Sequence, residues 1–191
     1  FSYAFEVVGG LQPGFLYTDP GDLEADYTDA MVNHGCVLSN NSIGSNVEPN
    51  GFNCAWQGDY GLTASLIDGI VRGSLGPDMR ICWAAGNERQ GSACDIEGFG
   101  DFYSIAPPGA QKNAMAVGAL NANDDSVTSF TSWGPTDDGR MKPDISAPGC
   151  QVGGDGGVTS CSSSGDTAYS VKCGTSMASP TLCGMTALLL Q

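Results

Sequence analysis

The chain has 191 residues, 41% of them hydrophobic, and its 7 basic against 21 acidic side chains give a formal charge of −14. That length suits one domain or a large part of one, and the acidic balance argues against nucleic acid or an anionic membrane as partner. No apolar run approaches the ~18 residues that cross a bilayer, and a single histidine without a Cys-x-x-Cys pair disfavours a zinc centre.

The opening FSYAFEVVGG lacks the basic and long apolar regions of a secretory signal. The chain does not start with Met and stops inside a helical pattern, so we expect a piece of a longer protein, cut at both ends. Leu23, Tyr27, Ala30, Met31 and His34 fall on one helical face, and the helix is expected to end at Gly35. On that face His34 reads as a satisfied structural histidine. Cys36 to Ser39 reads as a short strand that runs into the polar turn Asn40-Asn-Ser-Ile-Gly44.

Leu62, Leu66 and Ile70 mark a second helix, about Tyr60 to Ser74, closed by Gly76-Pro77. Arg80 to Ala85 is an apolar strand that ends at Gly86-Asn87; Ala114 to Leu120 is another, and Ser126 to Ser132 a shorter one. Glycine and serine dominate from Cys150 to Cys173, which predicts a turn-rich hairpin pinned by cysteines. Met177 to Leu190 is apolar all round, as in a buried helix. Alternating helices and strands predict an α/β fold with a mainly parallel sheet flanked by helices. In such sheets the functional loops lie beyond the carboxyl ends of the strands.

Cysteine stands at 36, 54, 82, 94, 150, 161, 173 and 183, an even count that points to disulfides and an oxidising, secreted setting. Cys82 and Cys183 lie in apolar runs and also read as plain buried thiols. The sequence does not choose among the pairings.

The stretch Cys173-Gly-Thr-Ser-Met-Ala-Ser-Pro180 puts Ser176 where a tight turn opens a helix. A helix N-terminus offers free N–H groups and a partial positive charge to a developing oxyanion. Thr175 is placed to cap, Ala178 leaves room, and Pro180 leaves the Ser176 carbonyl without its helical donor. Gly-Thr-Ser alone is an ordinary capping sequence; the whole string is far more specific.

That string resembles the serine motif of the subtilisin-like peptidases, the subtilases. Trp83-Ala-Ala-Gly-Asn-Glu88 is similar to the family's oxyanion-hole segment, with Asn87 in the place of the donor asparagine. Asn40 to Gly44 resembles the strand that pairs with substrate backbone. Ala114 to Leu120, Thr128 to Pro135 and Lys142 to Gly149 resemble the family segments that follow in order. The resemblance covers about Gly14 to Gln191, the C-terminal two-thirds of a catalytic domain. It implies a three-layer subtilisin-like domain, partial over residues 1–191, and a secreted serine endopeptidase acting on polypeptides. Ser176 and Asn87 would be catalytic, Ser42, Ile43 and Gly44 would bind substrate backbone, and Ala84, Ala85 and Gly86 would border the primary pocket.

The chain departs from the family in having no Asp-Ser-Gly or Asp-Thr-Gly and no His-Gly-Thr-His. His34-Gly-Cys ends a helix instead of starting one, so His34 is not read as the base. The triad's aspartate and histidine are expected upstream of Phe1. Two other function classes are an inactive subtilase-fold scaffold and a transferase that passes the acyl group to an amine. Catalysis needs no cofactor; the resemblance also leaves room for structural calcium, at Asp19, Asp22, Glu24 and Asp26 or at Asp124 and Asp125. Such clusters more often form a solvated acidic face. The sequon Asn40-Asn-Ser42 falls in the substrate strand and is discounted for glycosylation.

Overall fold

The computed structural model describes residues 20–91, 94–95 and 98–191. Pro20–Val32 forms helix α1 and Leu62–Val71 helix α2. Leu38–Asn41, Arg80–Ala84, Met115–Asn121 and Ile145–Cys150 form strands β1 to β4. They make one parallel sheet in the order β1-β2-β3-β4. Val158–Cys161 (β5) and Tyr169–Lys172 (β6) make a separate antiparallel hairpin, and Thr175–Leu189 is helix α3.

Alternation along β2 divides the core into two layers. Ile81 and Trp83 face Leu23, Tyr27, Ile67 and Ile70 of α1 and α2, whereas Cys82 joins Ala119, Ala147, Ala178 and Leu182 on the α3 side. The α/β fold is therefore helix, sheet, helix. Ile67 and Ile70 are fully buried, which stabilises by about 1.5–3 kcal/mol each. The end of α2 is set by Gly73, at φ +77°. Its N–H returns to the Ile70 carbonyl and the Ser74 N–H to Gly69, the paired closure that favours glycine there.

Four expectations need correction. The first strand starts at Leu38, not Cys36, because the Cys36 N–H still bonds back to the Ala30 carbonyl at the helix exit. The second helix is shorter than Tyr60 to Ser74, starting at Leu62 and closing on Gly73. Residues Ser126 to Ser132 make no strand; an isolated antiparallel bridge joins Val127 to Leu120. Backbone pairing stops after the Asn121 N–H to Ser126 carbonyl and Thr128 N–H to Ala119 carbonyl bonds, because the Ala119 N–H that would extend it donates to Thr131 Oγ1 instead. Lastly, α3 is not buried throughout. Ala178 and Leu182 are in the core, but Met185, Leu188 and Leu189 are exposed, because nothing among the described residues covers that face.

Residues Cys150 to Cys173 do form the expected hairpin, and a disulfide joins those two cysteines at its base. A second disulfide links Cys54 and Cys94. Among the described residues no helix is long and apolar enough to cross a membrane.

Candidate active site

Parallel strands bring the loops after β1 and β2 to one rim, and the start of α3 meets them there. Gly174 precedes the first turn of α3 and places Ser176 near the helix's free N–H groups. Thr175 does not cap by its own hydroxyl; Gly174 holds the N-cap position. The Thr175 hydroxyl instead donates to Asn87 Oδ1 at 3.0 Å and accepts from the Gly86 N–H at 3.2 Å.

Asn87 Oδ1 also accepts from the Thr175 N–H at 2.9 Å. With its oxygen held twice, the amide must turn its Nδ2 donors the other way. A Cβ built on Gly174 would lie 3.6 Å from Asn87 Nδ2 and 3.6 Å from the Ser176 nitrogen. The space in front of Gly174 is thus bordered by the Asn87 and Ser176 nitrogens, 89 residues apart in the chain, and by Met177 Sδ at the same 3.6 Å. Two such donors, one on a side chain and one on a helix's first turn, are suited to an oxyanion.

Ser176 is half-buried, and its hydroxyl donates to the Ser42 carbonyl at 3.2 Å. In return the Ser42 hydroxyl donates to the Ser176 carbonyl at 2.8 Å, the oxygen that Pro180 deprives of a helical donor. Ser179 Oγ donates to Asn40 Oδ1 at 2.7 Å, and Asn40 Nδ2 donates to the Ser42 hydroxyl at 3.1 Å. The Asn40–Ser42 stretch is therefore occupied in holding α3. Beyond it, the Ile43 carbonyl accepts from Trp83 Nε1 at 2.7 Å and the Ser45 hydroxyl donates to the Pro107 carbonyl at 2.6 Å, which anchors 42–45 at the rim. Gly44 is exposed.

Ala84 and Ala85 are buried, and Ala85 packs with Ile105 and Ala110 behind the rim. Gly86 has φ +110°, and a Cβ there would fall 2.8 Å from Ser132 Oγ, so two separate constraints favour glycine. The structure thus brings Ser176, Asn87, Ser42 and Gly86 together, with Ile43, Gly44, Ala84 and Ala85 flanking them.

Glu88 escaped sequence reasoning. Its buried carboxylate accepts from the N–H groups of Val47 and Glu48 at 3.0 and 3.1 Å and from Gln57 Nε2 at 3.0 Å. It anchors the loop that follows the 42–45 segment. The Cys54–Cys94 disulfide ties that loop to the one after Asn87. Only the neighbouring Asn87 pointed to Glu88 in the sequence.

His34 is not in the core. It lies past the last residue of α1, is exposed, and stands 3.4 Å from Asp29 Oδ2. It precedes the amino end of β1, whereas the rim lies at the carboxyl ends, which separates it from Ser176. Asp19 lies outside the described residues. Asp124 accepts from the N–H and hydroxyl of Ser126. Among the described residues no three His, Cys, Asp or Glu side chains group as metal ligands.

Residues 18–191 match the Subtilase family. The chain is 38% identical over 123 residues to serine protease AprX of Bacillus subtilis (strain 168), covering 58% of this chain and 26% of that protein. It is 31% identical over 130 residues to subtilisin-like protease 1 of Pseudogymnoascus destructans (strain ATCC MYA-4855 / 20631-21), covering 68% of this chain and 26% of the relative. Among solved structures, S41 psychrophilic protease superposes with a TM-score of 0.61 at 28% identity, over 92% of this chain and 50% of that one. Sphericase does so at 0.59 and 26%, over 91% and 50%. The chain thus spans about a quarter of these two curated relatives and half of these two structures. The chain belongs to the subtilase family.

Proposed function

We propose that this chain supplies the nucleophile and oxyanion site of a secreted serine endopeptidase. The orientation of Asn87 carries the reading: its Oδ1 is held by Thr175, so its Nδ2 and the Ser176 N–H face one space. A peptide carbonyl carbon there is attacked by Ser176 Oγ. The serine proton passes to a histidine, and the oxygen becomes an oxyanion between the two donors. Collapse expels the amine, which takes the proton, and leaves an acyl-enzyme on Ser176; water attacks next and frees the acid. Substrate backbone would lie along Ser42, Ile43 and Gly44, with its side chain toward Ala84, Ala85 and Gly86.

The histidine and aspartate of the triad come, on this reading, from a segment upstream of Phe1. Two surfaces support an additional segment: among the described residues β1 is an edge strand of the sheet, and none of them covers the apolar face of α3 formed by Met185, Leu188 and Leu189. Without that segment the oxyanion site and binding alone would give about 10³–10⁴ over water. The two disulfides accord with secretion. The words protease and proteinase recur in the names of relatives, including a cuticle-degrading serine protease of Arthrobotrys oligospora (strain ATCC 24927 / CBS 115.81 / DSM 1491).

The test is hydrolysis of unfolded casein by the full-length protein beside its Ser176→Ala variant. Loss of hydrolysis on substitution supports the reading. Equal rates, or no hydrolysis by either, would move the assignment to a scaffold.

A further inference from the structure

Four cysteines stand outside the two disulfides: Cys36, Cys82, Cys161 and Cys183. Cys161 is exposed on the β5–β6 hairpin, and Cys36 packs against the core layer formed with α1 and α2. Cys82 and Cys183 share the opposite layer, where the strand and helix meet around Ala119, Ala147 and Leu182. Cys82 is a member of that buried cluster and Cys183 packs against it, near enough that each thiol bears on the other's titration. Two runs that looked independently apolar in the sequence therefore bring their thiols into one cluster.

From this shared packing of strand and helix we infer that Cys82 and Cys183 form a third disulfide, made by exchange with a low-molecular-weight disulfide such as oxidised glutathione. The bond would join the strand that leads into Asn87 to the helix that starts beside Ser176, fixing the elements that border the oxyanion space. Cys183 is the entry point, since it is only half-buried while Cys82 is fully enclosed. The Cys183 thiolate attacks glutathione disulfide, which forms a mixed disulfide and releases one glutathione thiolate. The Cys82 thiolate then attacks the Cys183 sulfur and releases the second. Two protein thiols are oxidised, one glutathione disulfide is reduced, and the two protons end on the two glutathione products.

Burial pushes the Cys82 thiol up to about 12, and contact with Cys183 adds to that. Closure at neutral pH is therefore slow and should speed up about tenfold per pH unit between about pH 7 and 9, as the thiolate fraction grows. Cys36 and Cys161 have no share in the cluster and should stay as thiols.

The test equilibrates the full-length protein with oxidised glutathione until peptides linking Cys54 to Cys94 and Cys150 to Cys173 are found. Remaining thiols are then blocked with N-ethylmaleimide in denaturant, and the digest is mapped by mass spectrometry. The expected result is a peptide pair joined through Cys82 and Cys183, with maleimide on Cys36 and Cys161 alone. In Cys183→Ser, Cys82 should carry maleimide while both other linkages persist. Maleimide on both Cys82 and Cys183 beside intact control linkages would overturn the proposal, as would either one joined to Cys36 or Cys161. All readouts are on sulfur, so they stand whether or not the protein proves to be a peptidase.

Discussion

The Ser42 hydroxyl donates to the Ser176 carbonyl across 134 positions of sequence, at 2.8 Å. Pro180 makes this bond necessary, because it removes the N–H that would otherwise cap that carbonyl within α3. Ser42→Ala leaves a part-buried acceptor without its partner and should cost about 1–3 kcal/mol of stability. Ser42→Ala combined with Pro180→Ala should cost less than the single change, since an alanine in place of the proline supplies the helical donor. Urea unfolding of the four members of the cycle checks this. Additive effects would show that the two residues do not share the carbonyl.

Gly174 matters for what it lacks. A methyl there would stand 3.6 Å from both Asn87 Nδ2 and the Ser176 nitrogen, in the space a tetrahedral oxygen would use. Gly174→Ala should therefore fold with a Tm near that of the parent yet lose about 10²-fold or more in kcat. Steady-state kinetics beside a melting curve separates the two. Asn87→Asp keeps the acceptor for Thr175 but removes the donor, and should cost about 10²–10³ in kcat. That magnitude was measured on the corresponding asparagine of a subtilisin, the family's own worked case.

Glu88 holds its loop by one buried carboxylate. Replacement by alanine strands the N–H groups of Val47 and Glu48 and the Gln57 amide. A loss of about 1–3 kcal/mol is expected, with KM raised more than kcat falls, because the loop continues the 42–45 segment. A fall in kcat alone, with KM unchanged, would contradict this.

Asp138 supplies a pH signature. Bonds from the Arg140 guanidinium, then from the Thr136 hydroxyl, hold its carboxyl well below its usual 3.8. The unfolded chain takes up this proton first as pH falls. The contribution is therefore fully present above pH 3.8 and disappears as pH drops through the lowered value. Asp138→Asn should melt below the parent at pH 7, and the two curves should converge in strong acid. A gap that persists there would rule out the charge as its cause.

The sequence made the site legible where one contiguous string carries it, as in Gly174 to Pro180 and Trp83 to Glu88. It also exposed the consequence of Pro180, though not that Ser42 answers it, because that partner is fixed by packing and not by spacing. The apolar runs of β2 and β3 were plain; β4 was hidden by Pro148, a residue without a ladder donor that an edge strand tolerates, and among the described residues β4 lies at the sheet's edge. His34 followed the apolar spacing of α1 but lies past its last turn, since periodicity does not mark where a helix stops. The exposed end of α3 misled for a related reason. An apolar surface shows that cover is wanted and does not say which residues provide it.

The most direct test of the central claim is labelling of the full-length protein with a fluorophosphonate, followed by mass spectrometry of the peptide that contains Ser176. The account predicts a covalent adduct on Ser176 Oγ, lost in Ser176→Ala and weakened in Gly174→Ala. An unlabelled Ser176, beside an active subtilisin labelled under the same conditions, would contradict it.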